Sequence, residues 1–151
     1  MALARLDHWA ERSFQDFLVA RADMPFAWGT NDCALFAADA IEAITGTDIA
    51  ADFRGKYTTQ AQAMATISAV AGGTTIADAA AFCATRAGMT ELAHPLMAQR
   101  GDLVVVRDPV LGNPARQISG VIHLNGREVV SVGEHGLKVI GILSVVRAWH
   151  Y

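Results

Sequence analysis

The sequence predicts an α+β fold in which N-terminal helices pack on a C-terminal antiparallel sheet of about five strands. Three observations carry this prediction. The first half of the chain is alanine-rich, with apolar residues at helical spacing. The second half holds short runs rich in valine and isoleucine. Gly or Asn-Gly stands between several of those runs. Helices grouped before strands are the pattern of an α+β chain rather than of alternating parallel units.

The elements follow in order. Leu6, Trp9, Phe14, Phe17 and Leu18 recur at helical spacing and predict a helix over 4–22, which Pro25 stops. A loop runs through Gly29. Asn31 or Asp32 caps a second helix that continues to about Thr45, with Gly46 as its stop. Phe36, Ala37, Ala40, Ile41 and Ile44 form its buried stripe. Thr47 to Tyr57 wraps the surface. Two short helices follow over 59–71 and 75–87, parted by Gly72-Gly73, and Ala93 to Arg100 is a connector broken by Pro95. Strands are predicted over 102–107, 118–124, 128–132, 137–140 and 143–148, and Asn125-Gly126 is a hairpin signal. The 151 residues fit one domain, 1–151, with a helical part over about 4–92 and a sheet part over about 101–149.

Composition narrows the function. A chain that is 52% hydrophobic and 18% charged can bury a core without disulfides or metals. A net charge of −3 with interleaved signs lacks the basic face of a nucleic-acid binder. Two cysteines, Cys33 and Cys83, are too few for a disulfide framework or a zinc site, and a compartment that does not demand disulfides is the default. No phosphate loop, nucleotide fingerprint or metal-ligand spacing stands out, so no cofactor is expected. Arg5, Asp7, Glu11 and Arg12 interrupt any signal-peptide core, and no apolar stretch approaches the roughly 18 residues of a membrane span. A protein soluble as made, without membrane insertion, is expected. If it acts outside the cytoplasm, something else carries it there.

The chemistry concentrates at Asp32–Cys33. Cys33 falls in the first turn of the second helix, where free N–H groups and the positive end of the helix dipole favour thiolate. A thiolate there can attack an amide carbonyl, with its own backbone N–H helping to hold the oxyanion. Trp28 and Gly29 would wall a substrate cleft. The plainer role for Cys33 is a small apolar space-filler, and for Asp32 a helix cap. Asp39 reads as an exposed charge or a buried anchor, Asp102 as the holder of a turn, and Cys83 as core.

Phe26-Ala27-Trp28-Gly29-x-x-Asp32-Cys33-x-x-Phe36, followed by Arg100-Gly101-Asp102-Leu103-Val104-Val105, resembles the NlpC-type cell-wall peptidases. These are papain-like cysteine hydrolases of peptidoglycan stem peptides, and the order of elements matches over roughly residues 20–135. Trp-Gly-x-x-Asp-Cys-Ala-Leu-Phe-Ala-Ala-Asp, Thr45-Gly46-Thr47-Asp48, Arg54-Gly55-x-Tyr57 and Arg147-Ala148-Trp149 look more closely like small tail proteins of phages, prophages and gene-transfer particles. The resemblance implies a papain-like fold, a place in the virion tail, and tail-tip or hub proteins as partners, with peptidoglycan as a further one.

The catalytic pattern is broken. In the NlpC-type pattern a histidine stands two residues before the glycine of the second strand; here Gln117-Ile118-Ser119-Gly120 puts Ile118 there. Gln117 is adjacent, but an amide is no base. The third polar position falls near Ser131. Among the histidines, His8, His94, His135 and His150 read as helix, connector, turn and tail residues. His123 is on the right strand, but its odd offset from 118 turns it to the other face unless a bulge intervenes. Two main readings remain. One is a tail-tip component with a peptidase-like fold and weak or lost catalysis, working by contact. There the sheet or cleft docks on a neighbour, and Val145 to Tyr151 is a plausible contact element. The other is an active cysteine peptidase or amidase that cuts stem peptides with Cys33 and His123. A cysteine-dependent acyl or amide hydrolase unrelated to phage is a third, weaker reading.

Overall fold

The computed structural model describes residues 3–151. Four helices come first: α1 (Ser13–Arg21), α2 (Cys33–Thr45), α3 (Gln60–Ala71) and α4 (Ile76–Arg86). Six strands follow: β1 (Thr90–Glu91), β2 (Leu103–Arg107), β3 (Gln117–Ile122), β4 (Glu128–Gly133), β5 (Gly136–Gly141) and β6 (Val145–His150). They make one antiparallel sheet in the order β1-β6-β2-β3-β4-β5. The α+β class and the order of helices before strands are as the sequence predicts.

Local chemistry explains the ends of α2. Asp32 is its N-cap and accepts the Leu35 N–H at 3.0 Å, while Gly46 closes it in the left-handed region at φ 80°. Of the two candidate caps the helix uses Asp32. Asn31 instead donates to the carbonyls of Met24 and Pro25 and accepts from Arg21, holding the preceding loop. Thr59 caps α3, and Thr75 with Asp78 forms a capping box on α4.

The core has three parts. On one face of the sheet, Phe14, Phe36, Ile41 and Ile44 meet Leu103, Val105, Val121, Val130 and Trp149. Beside it, Leu35, Phe53, Tyr57, Ile67 and Cys83 join α2, α3 and α4. On the other face lie Val104, Val106, Ile118, Ile122, Val129 and Val145. From the α-helices only Cys33, at the head of α2, packs against that third cluster among the described residues, yet these side chains are buried. Leu92 and Ala98 of the segment between β1 and β2, Ile142 before β6 and Cys33 pack over that face.

The structure departs from the sequence reading in three places. The first helix begins at Ser13, not near residue 4: the backbone turns at His8 (φ 59°), and the Leu6 N–H donates to the Ile44 carbonyl, tying residues 3–10 across the end of α2. The sheet has a sixth strand, β1, whose two residues pair with Trp149 and His150 and are too short to leave a periodic signal. The end of the chain is not a free contact element. Residues 145–150 form β6 between β1 and β2, with Trp149 only 2% exposed, because a run apolar on both faces suits a covered strand. Among the described residues no single helix is long and apolar enough to cross a membrane.

Candidate functional site

The loop before α2 is built round one carboxylate. Asp32, nearly fully buried, accepts the Gly29 N–H (3.0 Å) and the Tyr57 hydroxyl (2.7 Å) on the oxygen not used for capping. Gly29 has φ 81°, and a Cβ there would come within 2.2 Å of the Tyr57 carbonyl oxygen, so no other residue fits. Phe26 and Trp28 meet edge to face with ring centroids 4.8 Å apart, and Trp28 stays partly exposed. Burial, helped by the Asp32 hydrogen bond, pushes the Tyr57 hydroxyl far above its usual range. Asp32 is therefore an organiser of the loop.

Cys33 is the first residue of α2 and packs where the two sheet-face clusters meet. It lines a cavity of about 1270 Å³ bounded by the loop before α2, by α3 and α4, by the start of β3 and by the β4–β5 turn. The strand residue bonded to it is Ser119, whose hydroxyl donates to the Cys33 carbonyl at 2.9 Å. Ile118, where the NlpC-type pattern has its histidine, belongs to the cluster on the opposite face from Ser119 and Val121. Burial pushes the Cys33 thiol up; Ser119 pulls it down, the Asp32 carboxylate raises it, and Arg116 lowers it. The net shift is upward, so the helix N-terminus does not yield the easily formed thiolate that the sequence suggests.

The other predicted site residues are scattered. Gln117 opens β3 and lines the cavity. Ser131 is buried and donates to the Ser119 carbonyl at 2.7 Å, so it holds the strand behind Ser119 and orients no imidazole. His123 stands just beyond β3, about 13 Å of strand from Ser119. Its Nδ1 accepts the Asn125 N–H in the hairpin turn. His123 does not line the cavity that Cys33 lines, so the structure does not pair the two as nucleophile and base. His8 meets Glu11, and His94 caps the turn at Pro95–Met97. His150 Nδ1 lies 2.6 Å from the carboxylate of Asp102, which also accepts the Gln99 N–H. Among the described histidines only His135, exposed on the turn between β4 and β5, lines the cavity that Cys33 lines.

Three residues of the cavity mouth carry no sequence signal. Asp108, buried at the end of β2, is shared by Arg116 and by Lys138 of β5, the latter at 2.6 Å. They come from three separate segments, and no motif links them. Asp39, by contrast, resolves as an anchor: it joins Arg21 to Arg54, which also binds Asp48. Among the described residues no three His, Cys, Asp or Glu side chains converge as a metal ion would need.

A family model described as "Domain of unknown function (DUF6950)" matches residues 4–151. The chain belongs to this family. No curated protein and no solved structure matches it. The candidate site of this DUF6950 chain combines a half-buried thiol, an aromatic wall and a charged mouth.

Proposed function

We propose that this chain is a phage-type tail-tip component, with a papain-like, NlpC-type domain whose catalysis is weak or lost. The observation that carries this reading is the exchange at the strand beside Cys33. A hydroxyl, already donating to the Cys33 carbonyl, stands where a base would have to be, beside a thiol that burial pushes up. A cysteine nucleophile needs a base within hydrogen-bond reach, and serine is none. The sequence resemblance to NlpC-type peptidases and small tail proteins supports the rest: a place in the virion tail, tail-tip or hub proteins as neighbours, and peptidoglycan as the ancestral substrate. The helix-on-sheet arrangement with Cys33 at the head of α2 is compatible with a papain-like ancestry.

The test is purified protein incubated with peptidoglycan beside Cys33→Ala. The expected result is the same background for both, together with capture of neighbouring tail proteins in a pull-down. Cys33-dependent release of stem-peptide fragments would defeat the reading of lost catalysis. A monodisperse monomer that captures none of its neighbours would defeat the tail-tip reading. One observation favours the second reading, an active cysteine peptidase: His135 lines the same cavity as Cys33. In that case the release would vanish in His135→Ala as well as in Cys33→Ala.

A further inference from the structure

A loop projects from the rim of the cavity beside Cys33. Residues 109–115, Pro-Val-Leu-Gly-Asn-Pro-Ala, lie between β2 and β3, are all exposed and carry no charge. The loop is nevertheless fixed. Val110 and Asn113 exchange both backbone hydrogen bonds, at 3.2 and 2.9 Å, round a turn in which Gly112 takes φ 83°. At its base the Asp108 N–H donates to the Arg116 carbonyl, and the Arg116 Nε–H donates to the Asp108 carbonyl at 3.0 Å. Leu111 thus stands wholly exposed at a rigid tip, with Val110 beside it and Trp28, also partly exposed, on the cavity's aromatic wall. An apolar side chain fixed in advance loses little entropy when a partner covers it. The charges of the same rim complement one another. Arg116 and Lys138 share the one carboxylate of Asp108, so that corner keeps one positive charge in excess. Glu134, exposed on the β4–β5 turn, lines the same cavity and has no ion-pair partner among the described residues. The rim therefore carries one free anion and one uncompensated cation that do not meet within the chain.

We propose that this rim is a homodimer interface. A second copy of the chain docks on it about a two-fold axis, with Leu111, Val110 and Trp28 of both copies at the centre and Glu134 of each copy facing the Arg116–Lys138 corner of the other. A two-fold contact uses the same patch twice, so its charged ring must hold both signs, as this one does. A partner surface of a single sign, a nucleic acid or an anionic membrane, would leave Glu134 facing like charge. The interface covers the mouth over Cys33 but requires neither a reacting thiol nor a place in a tail, so it is independent of the tail-tip reading.

Sedimentation equilibrium of the full chain reads the interface directly. It should show a monomer–dimer equilibrium that weakens as salt is raised. Leu111→Asp takes an apolar anchor from the centre in both copies and should weaken association about a hundredfold or more. Glu134→Lys sets like charges against each other on both sides of the axis and should weaken it about tenfold at low salt. Both side chains are exposed, so the circular dichroism of either variant should match the wild type. Cys33 of the wild type should be alkylated more slowly as the protein concentration rises, and Cys33 of Leu111→Asp at one rate throughout. A wild type that stays monomeric up to about 1 mM would overturn the proposal. So would a dimer indifferent to both substitutions, or a monomer that captures a different protein through Leu111. A dimer that captures no tail protein would leave this interface standing and count against the tail-tip reading alone.

Discussion

Two corners of this molecule each hold part of a hydrolase's machinery, and the part that each lacks is found in the other. At the head of α2, Cys33 has the position of a nucleophile but only Ser119 for a strand partner. At the start of β2, Asp102 and His150 have the geometry of an oriented imidazole, 2.6 Å apart, but neither lines the cavity that holds Cys33. The Asp102 corner is closed by structural contacts. The Tyr151 hydroxyl donates to the Gly101 carbonyl, and the Arg5 guanidinium lies over the rings of Trp9 and Tyr151. Residue type and even pair geometry therefore do not make a site; what surrounds the pair does.

The largest effect should come from the carboxylate beside the thiol. Asp32→Ala removes a helix cap and leaves the Tyr57 hydroxyl and the Gly29 N–H without their acceptor, a loss of about 3 kcal/mol in urea unfolding. If the loss is no more than that of an exposed substitution, Asp32 is not the organiser described above. His150→Ala should cost less, about 2 kcal/mol, because Asp102 keeps the Gln99 N–H and the nearby Arg5. The same substitution should leave Cys33 alkylation unchanged, and a change there would show the two corners to be coupled.

The pH dependence separates the corners further. Burial holds the Asp102 carboxyl above its usual range, against the pull of Gln99, His150 and Arg5. The folded chain thus binds this proton more tightly than the unfolded chain does. That contribution is complete below about pH 4 and is lost as pH rises through the folded value. Asp102→Asn should therefore gain on the wild type in melting temperature as pH climbs from about 4; a difference that is flat, or that runs the other way, would break the account. The smallest effect concerns the thiol itself. Iodoacetamide should modify Cys33 with a midpoint above that of free cysteine, near pH 8.5. Ser119→Ala should raise the midpoint a little more, since Ser119 opposes the effect of burial. A midpoint below that of free cysteine would restore Cys33 as a poised nucleophile.

What the sequence made legible were features written in neighbouring residues. Asp32 and Gly46 delimit α2, and Gly126 turns the β3–β4 hairpin in the left-handed region at φ 71°. These signals act within a few positions and survive any tertiary context. Illegible were the features that depend on meetings across the chain. His150 meets Asp102 from 48 positions away, and Lys138 meets Asp108 from 30. The site itself was legible as a position but not as chemistry. Periodicity of two gives faces only once the register is known, and a shift of one residue exchanged Ile118 for Ser119 as the partner of Cys33. The helix N-terminus favours thiolate at Cys33, and burial, which no local pattern records, outweighs it.

The place of β6 bears on how the chain comes to be folded. Val104 and Val106 line a strand whose neighbour on one side, residues 145–150, is made about forty residues later in synthesis. Until those residues leave the ribosome, β2 presents an open, apolar hydrogen-bonding edge to whatever is nearby. A nascent chain stalled before Val145 would be a sticky one, a client for chaperones or a seed for aggregates, and the interval in which β2 waits for its partner sets the hazard of making this protein.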